Sequence, residues 1–230
     1  MYAQLGLYEL AAADLSKVIE LDPHDAYAYN YRGYVCNQLQ QHELAVADFT
    51  KAIELEPNDA YAYVNRGYAY AELGQYERAM LDYAKAIELD PNDVSTYFNR
   101  AYTYIELGQY EQAVSDCTKA IELDPDSALA YNNRGYACMK LGQYEQAMSD
   151  SVQALELAPD FAAAYDTRGC VYLKLEQYDL AIADFTKAIE LDPTSEVEFY
   201  TNRADAYEAL GDTDAAAADR QKAEELNENQ

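Results

Sequence analysis

The prolines of this 230-residue sequence recur at a fixed interval of 34 residues, from Pro23 to Pro57 and onward. Six arginines follow the same interval, with one extra residue before the last. A constant period in this range indicates stacked supersecondary units, each of which buries its apolar face against its neighbours. The chain is therefore predicted to be an array of one repeated unit. The prolines are Pro23, Pro57, Pro91, Pro125, Pro159 and Pro193, and the arginines are Arg32, Arg66, Arg100, Arg134, Arg168 and Arg203.

Each unit divides into two halves with helical periodicity, as residues 60–91 show. In both halves, apolar and small residues recur at steps of three and four, which places them on one helix face. Leu73-Gly74 separates the halves, and glycine is the preferred residue just past a helix end. Pro91 ends the second half because proline disfavours helical conformation in the residue before it. The unit is therefore predicted to be a helix-turn-helix. Its periodic positions are Tyr63, Gly67, Tyr70, Ala79, Tyr83, Ala86 and Ile87.

This pattern resembles the tetratricopeptide repeat along the whole chain. The resemblance implies an all-α fold, an α-solenoid of stacked helix-turn-helix repeats that forms a right-handed superhelix with the first helices on its concave side. The sequence departs from the family in having Tyr where Trp is frequent early in the first helix, as at Tyr63. Gln40 and Glu176 stand where the turn glycine would be, and we expect this to cost only local stability. The resemblance rests on Gly67, Tyr70, Ala79, Tyr83, Ala86 and Pro91 and on their counterparts in the other copies.

The repeat pattern predicts the division of the chain. A partial first repeat occupies 1–25, and a last repeat with a polar capping helix occupies 196–230. In that helix Arg220 and Glu224 replace the aromatic and isoleucine residues of other repeats, so nothing is expected to stack on it. The five full repeats are predicted at 26–59, 60–93, 94–127, 128–161 and 162–195.

The N-terminal end is expected to be uncapped. Aligned on Pro23, Met1 falls inside a first helix that is mostly missing. The following helix keeps Ala11, Leu15, Val18 and Ile19, so some apolar surface should be uncovered. Either the chain is a fragment of a longer array or another molecule covers this end. Self-association through this end into a dimer is one hypothesis.

An aspartate follows each repeat arginine by sixteen residues, and the turn lies midway between the two. In an antiparallel helix pair, residues equidistant from the turn lie at about the same height, so the two side chains can meet. We interpret them as structural ion pairs, with ligand binding by the arginines as the alternative. The pairs are Arg32 with Asp48, Arg66 with Asp82, Arg100 with Asp116, Arg134 with Asp150, Arg168 with Asp184, and Arg203 with Asp219.

The asparagine before the arginine points toward another surface, because neighbouring helix residues are about 100° apart. If first helices line the concave side, asparagines and tyrosines form a ladder along an inner groove. An asparagine amide both donates and accepts, so it can hold the backbone of an extended peptide. Tyrosine adds contact area at low entropic cost. The predicted groove residues are Asn65, Asn99, Asn133, Asn202, Tyr34, Tyr68, Tyr102, Tyr136, Glu72, Glu106, Lys140 and Lys174.

This ladder is similar to the asparagine ladder of the O-linked N-acetylglucosamine transferase superhelix. It departs from the chaperone-tail binders of the family, because tyrosine occupies some sites of their carboxylate clamp. The alternative for the asparagines is an ordinary polar face or hydrogen bonding between repeats. Glu72 and Glu106 precede Lys140 and Lys174 at matching positions, so a peptide would bind with its basic part toward the N-terminal half.

Composition excludes several partners. Sixteen Lys and Arg against 42 Asp and Glu give a net charge of −26, which repels nucleic acid and anionic membranes and attracts a basic partner. We find no run of roughly 20 apolar residues that would span a membrane, and we expect no secretory signal in MYAQLGLYEL. Two histidines and four cysteines without a C-x-x-C pair predict no metal site and no cofactor. Cys36, Cys117, Cys138 and Cys170 are interpreted as reduced core thiols in a cytoplasmic protein.

The leading functional hypothesis is a non-catalytic scaffold that binds an extended peptide or protein segment in the concave groove. The sequence contains no phosphate loop or catalytic triad that would predict an enzyme. One alternative is the substrate-recruiting or regulatory segment of a larger enzyme. A second is a self-assembling structural array.

Overall fold

The computed structural model describes residues 2–193 and 197–228, with side chains from residue 6 onward. This part of the chain forms thirteen helices, in two compact units of residues Met1–Thr103 and Tyr104–Gln230. The prediction of an all-α helical-repeat solenoid is confirmed. The predicted boundary between 195 and 196 adjoins residues outside the described ranges. The helices are α1 Tyr2–Leu21, α2 Ala26–Gln38, α3 His42–Leu55, α4 Ala60–Glu72, α5 Tyr76–Leu89, α6 Val94–Glu106, α7 Tyr110–Leu123, α8 Ala128–Lys140, α9 Tyr144–Leu157, α10 Ala162–Lys174, α11 Tyr178–Leu191, α12 Val197–Leu210 and α13 Thr213–Asn227.

Short polar side chains begin the first helix of several repeats. The Asp25 carboxylate accepts a hydrogen bond from the Ala28 amide at 3.0 Å, and Asp59 accepts one from the Tyr61 amide at 3.0 Å. Ser127 accepts one from the Ala130 amide at 3.3 Å. Such caps satisfy backbone donors that have no partner within the helix. In these three repeats, the polar residues after the proline therefore fix where the first helix starts.

The turn inside each repeat uses a left-handed backbone. Gly74 has a φ of 68°, a conformation that glycine adopts without steric cost. Gln40 and Glu176, the two departures from the turn glycine, adopt the same conformation with a φ of 58° each. A side chain in this conformation costs about 1–2 kcal/mol. The turn geometry is thus kept at both positions, at a local energetic cost.

The N-terminal helix α1 is continuous from Tyr2 to Leu21. The sequence alignment placed Met1 inside a first helix, and the structure has one helix that runs from Tyr2 through Gly6 without a break. Continuing a helix through glycine costs only about 1 kcal/mol.

Small residues bring the two helices of a repeat together. The ring of Tyr83 on α5 lies so close to Gly67 on α4 that an added Cβ would be 2.7 Å from it. Phe49 and Phe185 lie against Gly33 and Gly169 in the same way. The glycines thus let an aromatic ring lie directly on the backbone of the first helix. Alanines at the matching position of the second helices are fully buried, namely Ala45, Ala79, Ala113, Ala147 and Ala181.

First and second helices differ in what they contact between repeats. Within the first unit α2 contacts α4, and within the second α10 contacts both α8 and α12. Among the described residues of either unit, no two second helices contact each other. The first helices are therefore packed closer together than the second helices. We call the exposed surface of the first helices the first-helix face.

Candidate functional site

Five of the predicted arginine–aspartate pairs are brought together in the same geometry. Each guanidinium donates two hydrogen bonds, from Nε and Nη2, to the two carboxylate oxygens at 2.7–2.8 Å. The aspartate side chains are only 2–10% exposed. The sixth predicted pair, Arg100 with Asp116, joins residues of different units and stays a prediction. The five pairs are Arg32–Asp48, Arg66–Asp82, Arg134–Asp150, Arg168–Asp184 and Arg203–Asp219.

These arginines have further partners within the fold. The tyrosine three residues earlier lies beneath the guanidinium, as Tyr63 does beneath Arg66 at 5.7 Å from the ring centroid. The Nη1 of Arg66 also donates to the Thr50 hydroxyl of the preceding second helix at 3.1 Å. In Arg134, the hydrogen bond to Asp150 raises the guanidinium pKa against the opposing effect of burial. The paired arginines are therefore committed to the scaffold rather than exposed to a ligand.

Four of these five arginines also contact a hydroxyl that was not identified from the sequence. It belongs to Ser16, Thr50, Thr118 or Thr186, each on the helix before the repeat of its arginine. These positions are separated by 34 residues or its multiples, so the repeat period itself carried the signal. The arginine thereby connects its own aspartate to the neighbouring repeat.

The asparagine column is not uniform. The Asn65 amide donates to the Tyr61 carbonyl of its own helix at 2.8 Å, which leaves its Oδ1 free to accept. Asn202 donates instead to the Asp166 carboxylate at 2.9 Å, a hydrogen bond between neighbouring repeats. The Nδ2 of Asn133 is buried without a hydrogen-bond partner, and Asn99 is half-buried. The four asparagines therefore do not share a single role.

The tyrosines of the first-helix face differ in exposure. Tyr34, Tyr68 and Tyr136 are half-buried, whereas Tyr102 is 47% exposed. Three further exposed tyrosines on this face were not among the predicted groove residues: Tyr27, Tyr31 and Tyr61, at 66%, 46% and 49%. Two of them could have been predicted from the sequence, because Tyr27 and Tyr61 stand four residues before Tyr31 and Asn65 and so share their helix face.

The charged residues that were predicted for the groove are all exposed, namely Glu72, Glu106, Lys140 and Lys174. In the first unit, burial and the neighbouring Glu72 raise the pKa of Tyr68. In the second unit, Lys140 Nζ lies 5.0 Å from the centroid of the Tyr136 ring. Burial works against its charge, but the hydrogen bond with Tyr136 raises the pKa of Lys140 above the ordinary value. The first unit therefore presents a tyrosine surface with the carboxylate of Glu72, and the second presents the carboxylate of Glu106 together with Lys140 and Lys174.

The cysteines have the properties of core residues. Cys36, Cys117 and Cys138 are buried, and Cys170 is partly buried. Burial raises the pKa of Cys117 to about 12 and raises the pKa of the other three thiols as well. A thiol with a raised pKa is a poor nucleophile at neutral pH.

Residues 2–193 and 197–228 contain no group of three or more His, Cys, Asp or Glu side chains placed to hold a metal ion. Over the same ranges, we find no helix with the length and apolar character that crossing a membrane requires.

Protein-family models match the sequence over most of its length. Models described as TPR repeat or tetratricopeptide repeat match at both ends and through the middle, and a comparison with curated proteins finds no match. The matched residues are 1–25, 33–74, 67–108, 94–127, 117–148, 162–195 and 185–218.

Solved structures with a similar fold include three informative cases. A chain of the APC/C hetero-tetramer Cut9-Hcn1 matches with a TM-score of 0.85 at 19% identity, over 98% of this chain but 44% of that one. YrrB, described as a TPR protein with an unusual peptide-binding site, matches with a TM-score of 0.67 at 24% identity, over 87% of this chain and 99% of YrrB. MamA matches with a TM-score of 0.60 at 30% identity, over 74% of this chain and 92% of MamA.

Proposed function

Because the chain belongs to the tetratricopeptide repeat family, we propose that it is a non-catalytic scaffold that binds an extended peptide or protein segment on its first-helix face. One observation carries the proposal. All four exposed tyrosines among the described side chains lie on first helices, namely Tyr27, Tyr31, Tyr61 and Tyr102. Tyrosines are enriched at protein interfaces because they combine a large apolar ring with a polar hydroxyl.

The first unit offers the chemistry that an extended peptide needs. The rings of Tyr27 and Tyr31 lie 4.7 Å apart and form a continuous aromatic surface on α2. On α4, the free Oδ1 of Asn65 can accept from a peptide amide beside Tyr61. The aromatic surface can contact the side chains of a peptide while the neighbouring amide contacts the peptide backbone, so binding does not require one particular peptide sequence. YrrB, which has a similar fold, is described as having a peptide-binding site.

The charges favour a basic segment for the first unit. Glu72 is exposed next to Tyr68, and the whole chain carries a net charge of −26. A lysine or arginine of the ligand would gain from the carboxylate and from the faces of the exposed tyrosine rings. The lysines Lys140 and Lys174 of the second unit suit an acidic or neutral segment instead.

The experiment compares a variant with three substitutions and a variant with two substitutions, both in the first unit. In the first, Tyr27, Tyr31 and Tyr61 are changed to Ser; in the second, the exposed second-helix residues Leu44 and Leu81 are changed to Ser. Binding of a library of fluorescent 12-residue peptides, basic, neutral and acidic, is measured by anisotropy. We expect basic peptides to bind the natural protein and the leucine variant equally, and the tyrosine variant at least 10-fold more weakly.

Two results would overturn the proposal. One is the absence of any saturable binding by the natural protein. The other is loss of binding in the leucine variant with full binding in the tyrosine variant, which would place the site on the second helices. Circular dichroism of both variants checks that the helices are retained, since the substituted side chains are exposed.

A further inference from the structure

Two lysines of the second unit differ from all other lysines of the chain, because they have no carboxylate partner. Each of the other six forms an ion pair at 2.8–3.2 Å with an Asp or Glu three residues away on its own helix. Lys140 and Lys174 form no ion pair within residues 2–193 and 197–228. The sequence places no Asp or Glu three or four residues from either of them, although it has 42 acidic residues. The paired lysines are Lys17, Lys51, Lys85, Lys119, Lys187 and Lys222.

The two unpaired lysines lie at the same repeat position on neighbouring first helices. Lys140 is the last residue of α8 and Lys174 is the last residue of α10, and these two helices contact each other. Both side chains are exposed. Packed helices lie about 8–10 Å apart, and a lysine carries its charge at the end of a flexible four-carbon chain. The two ammonium groups can therefore reach one ligand group from two sides.

Cys170 is a small side chain that both lysines face. It stands one helical turn before Lys174, at the position where Tyr136 stands before Lys140. Burial raises the pKa of the Cys170 thiol, and the positive charges of Lys140 and Lys174 both act in the opposite direction. A cysteine occupies less space than a tyrosine ring. The exchange of tyrosine for cysteine therefore leaves more room for a ligand group beside the two ammonium groups.

Lys140 is already positioned and charged without a ligand. Its Nζ lies 5.0 Å from the centroid of the Tyr136 ring, a distance at which the ring attracts a cation. Burial opposes the charge, but the hydrogen bond with Tyr136 raises the pKa of Lys140 above its ordinary value. The ammonium group is thus directed along the first-helix face and keeps its donors for an anion.

The helix dipole alone does not account for these lysines. A cation is favoured at a helix C-terminus, and both lysines end their helices. The other described helices, however, have no basic residue in their last turn. The fold therefore does not require a lysine at this position.

We propose that Lys140 and Lys174 bind the phosphate group of a phosphorylated serine or threonine, in a peptide segment that lies on the first-helix face of the second unit. This rests on the proposed function, because it assigns a ligand group to the same face. A phosphorylated side chain carries a charge of about −1.5 to −2 at pH 7 and three acceptor oxygens, so it can accept hydrogen bonds from both lysines at once. A carboxylate has a single charge to share between them.

The net charge of −26 restricts the rest of the ligand. Nucleic acids and long acidic segments carry negative charge along their whole length, so the acidic surface of this chain repels them. A single phosphate between neutral residues places its negative charge only where the two lysines lie. The best ligand is therefore a phosphopeptide without further acidic residues.

The test uses fluorescent 12-residue peptides with varied neutral flanking residues, each made with serine, phosphoserine or glutamate at its centre. Binding to the 230-residue chain is measured by anisotropy. We expect the tightest phosphoserine peptides to saturate below about 1 mM protein and to bind roughly 10-fold more tightly than their serine and glutamate forms. Lys140→Gln and Lys174→Gln should each weaken this binding by roughly 5-fold, whereas Lys140→Arg should retain most of it because the charge is kept.

The matched control is the double variant Lys119→Gln with Lys187→Gln. It removes two positive charges from the same unit, but from exposed side chains that pair with Glu122 and Glu190. It should change the affinity by less than about 2-fold, because exposed charges away from the ligand are screened. A further arm adds inorganic phosphate to the bound peptide. Free phosphate should compete only at concentrations well above the Kd of the peptide, because it makes no other contact with the first-helix face.

Four results would overturn the proposal. They are the absence of saturable binding by any phosphoserine peptide, equal binding of the glutamate forms, an equal loss in the control variant, and competition by free phosphate at the Kd of the peptide. The variant of Tyr27, Tyr31 and Tyr61 separates this test from that of the proposed function. Those tyrosines belong to the first unit, so the variant should bind the phosphopeptide normally, and either proposal can fail alone. Circular dichroism of the lysine variants checks that the helices are retained.

Discussion

At the scale of single residues, the repeated arginine is the most constrained side chain of the unit. Arg66 is 16% exposed and Asp82 is 8% exposed, so both charges are largely removed from water. Two hydrogen bonds to Asp82 and one to Thr50 use three of the five guanidinium donors. A partly buried charge satisfied in this way is stable only while its partner remains.

The first prediction concerns this pair. Arg66→Ala or Asp82→Ala alone should lower the free energy of unfolding by roughly 3–5 kcal/mol, because each leaves an unpaired charge behind. The double variant should lose much less than the sum. Urea unfolding of the four proteins gives the coupling energy directly.

An exposed pair on the same helix serves as the control. Lys85 and Glu88 lie 2.8 Å apart with side chains 35% and 70% exposed. Their coupling should be about 0.5 kcal/mol or less, because water screens an exposed pair. Equal coupling in the two cycles would contradict the interpretation that burial makes the arginine pair strong.

At the scale of the helix pair, glycine determines how closely two helices approach. The second prediction is that Gly67→Ala destabilises the protein. The new Cβ would lie 2.7 Å and 2.9 Å from atoms of the fully buried Tyr83 ring, which has no room to move. Overpacking of this kind costs about 1–3 kcal/mol, and the better helix propensity of alanine returns about 1 kcal/mol. We expect a net loss of up to about 2 kcal/mol in urea unfolding.

Gly135→Ala is the matched control at the same repeat position. Ser151 replaces the aromatic ring there, and the nearest atoms to an added Cβ are 3.3 Å away. Helix propensity should then dominate, and the variant should be as stable as the natural protein or more so. A larger loss at Gly135 than at Gly67 would show that the ring does not set the approach of the helices.

The repeat period explains how much of this could be predicted from the sequence. The apolar residues, glycines, arginines and aspartates that recur from repeat to repeat indicate the helices, the turns and the spacing of Arg66 and Asp82, so these features could be predicted. Contacts that depend on side chains that differ between repeats could not be predicted. Asn65 and Asn202 share a position, yet Asn65 binds its own helix and Asn202 binds Asp166, because the neighbouring side chains differ.

The repeat period also could not predict how exposed an individual side chain is. Tyr68 and Tyr102 occupy equivalent positions, but only Tyr102 is exposed, since burial depends on the side chains around each ring.

At the scale of the whole molecule, the two units present different first-helix faces. All four exposed tyrosines among the described side chains belong to the first unit, and the two exposed lysines that were predicted as groove residues belong to the second. A ligand with the same charge and residue types along its whole length would complement the first-helix face of only one unit. The proposed function therefore predicts that a basic peptide binds to the first unit rather than to the second.

The third prediction follows from the net charge of −26. Like charges repel across the folded surface, and salt screens this repulsion once the Debye length falls from about 30 Å at 0.01 M to about 8 Å at 0.15 M. Salt also weakens the exposed lysine–glutamate pairs, but each contributes only a few tenths of a kcal/mol. The Tm should therefore rise between 0.01 M and 0.15 M NaCl, by roughly 4–8 °C if screening adds about 2 kcal/mol.

Thermal unfolding followed by circular dichroism measures this shift, with KCl in place of NaCl to exclude a specific effect of sodium. Lys85→Gln, which removes one member of an exposed pair and makes the net charge more negative, should lower the Tm at 0.01 M salt and have a smaller effect at 0.15 M. A Tm that falls as salt is added would mean that local ion pairs outweigh net repulsion in this chain.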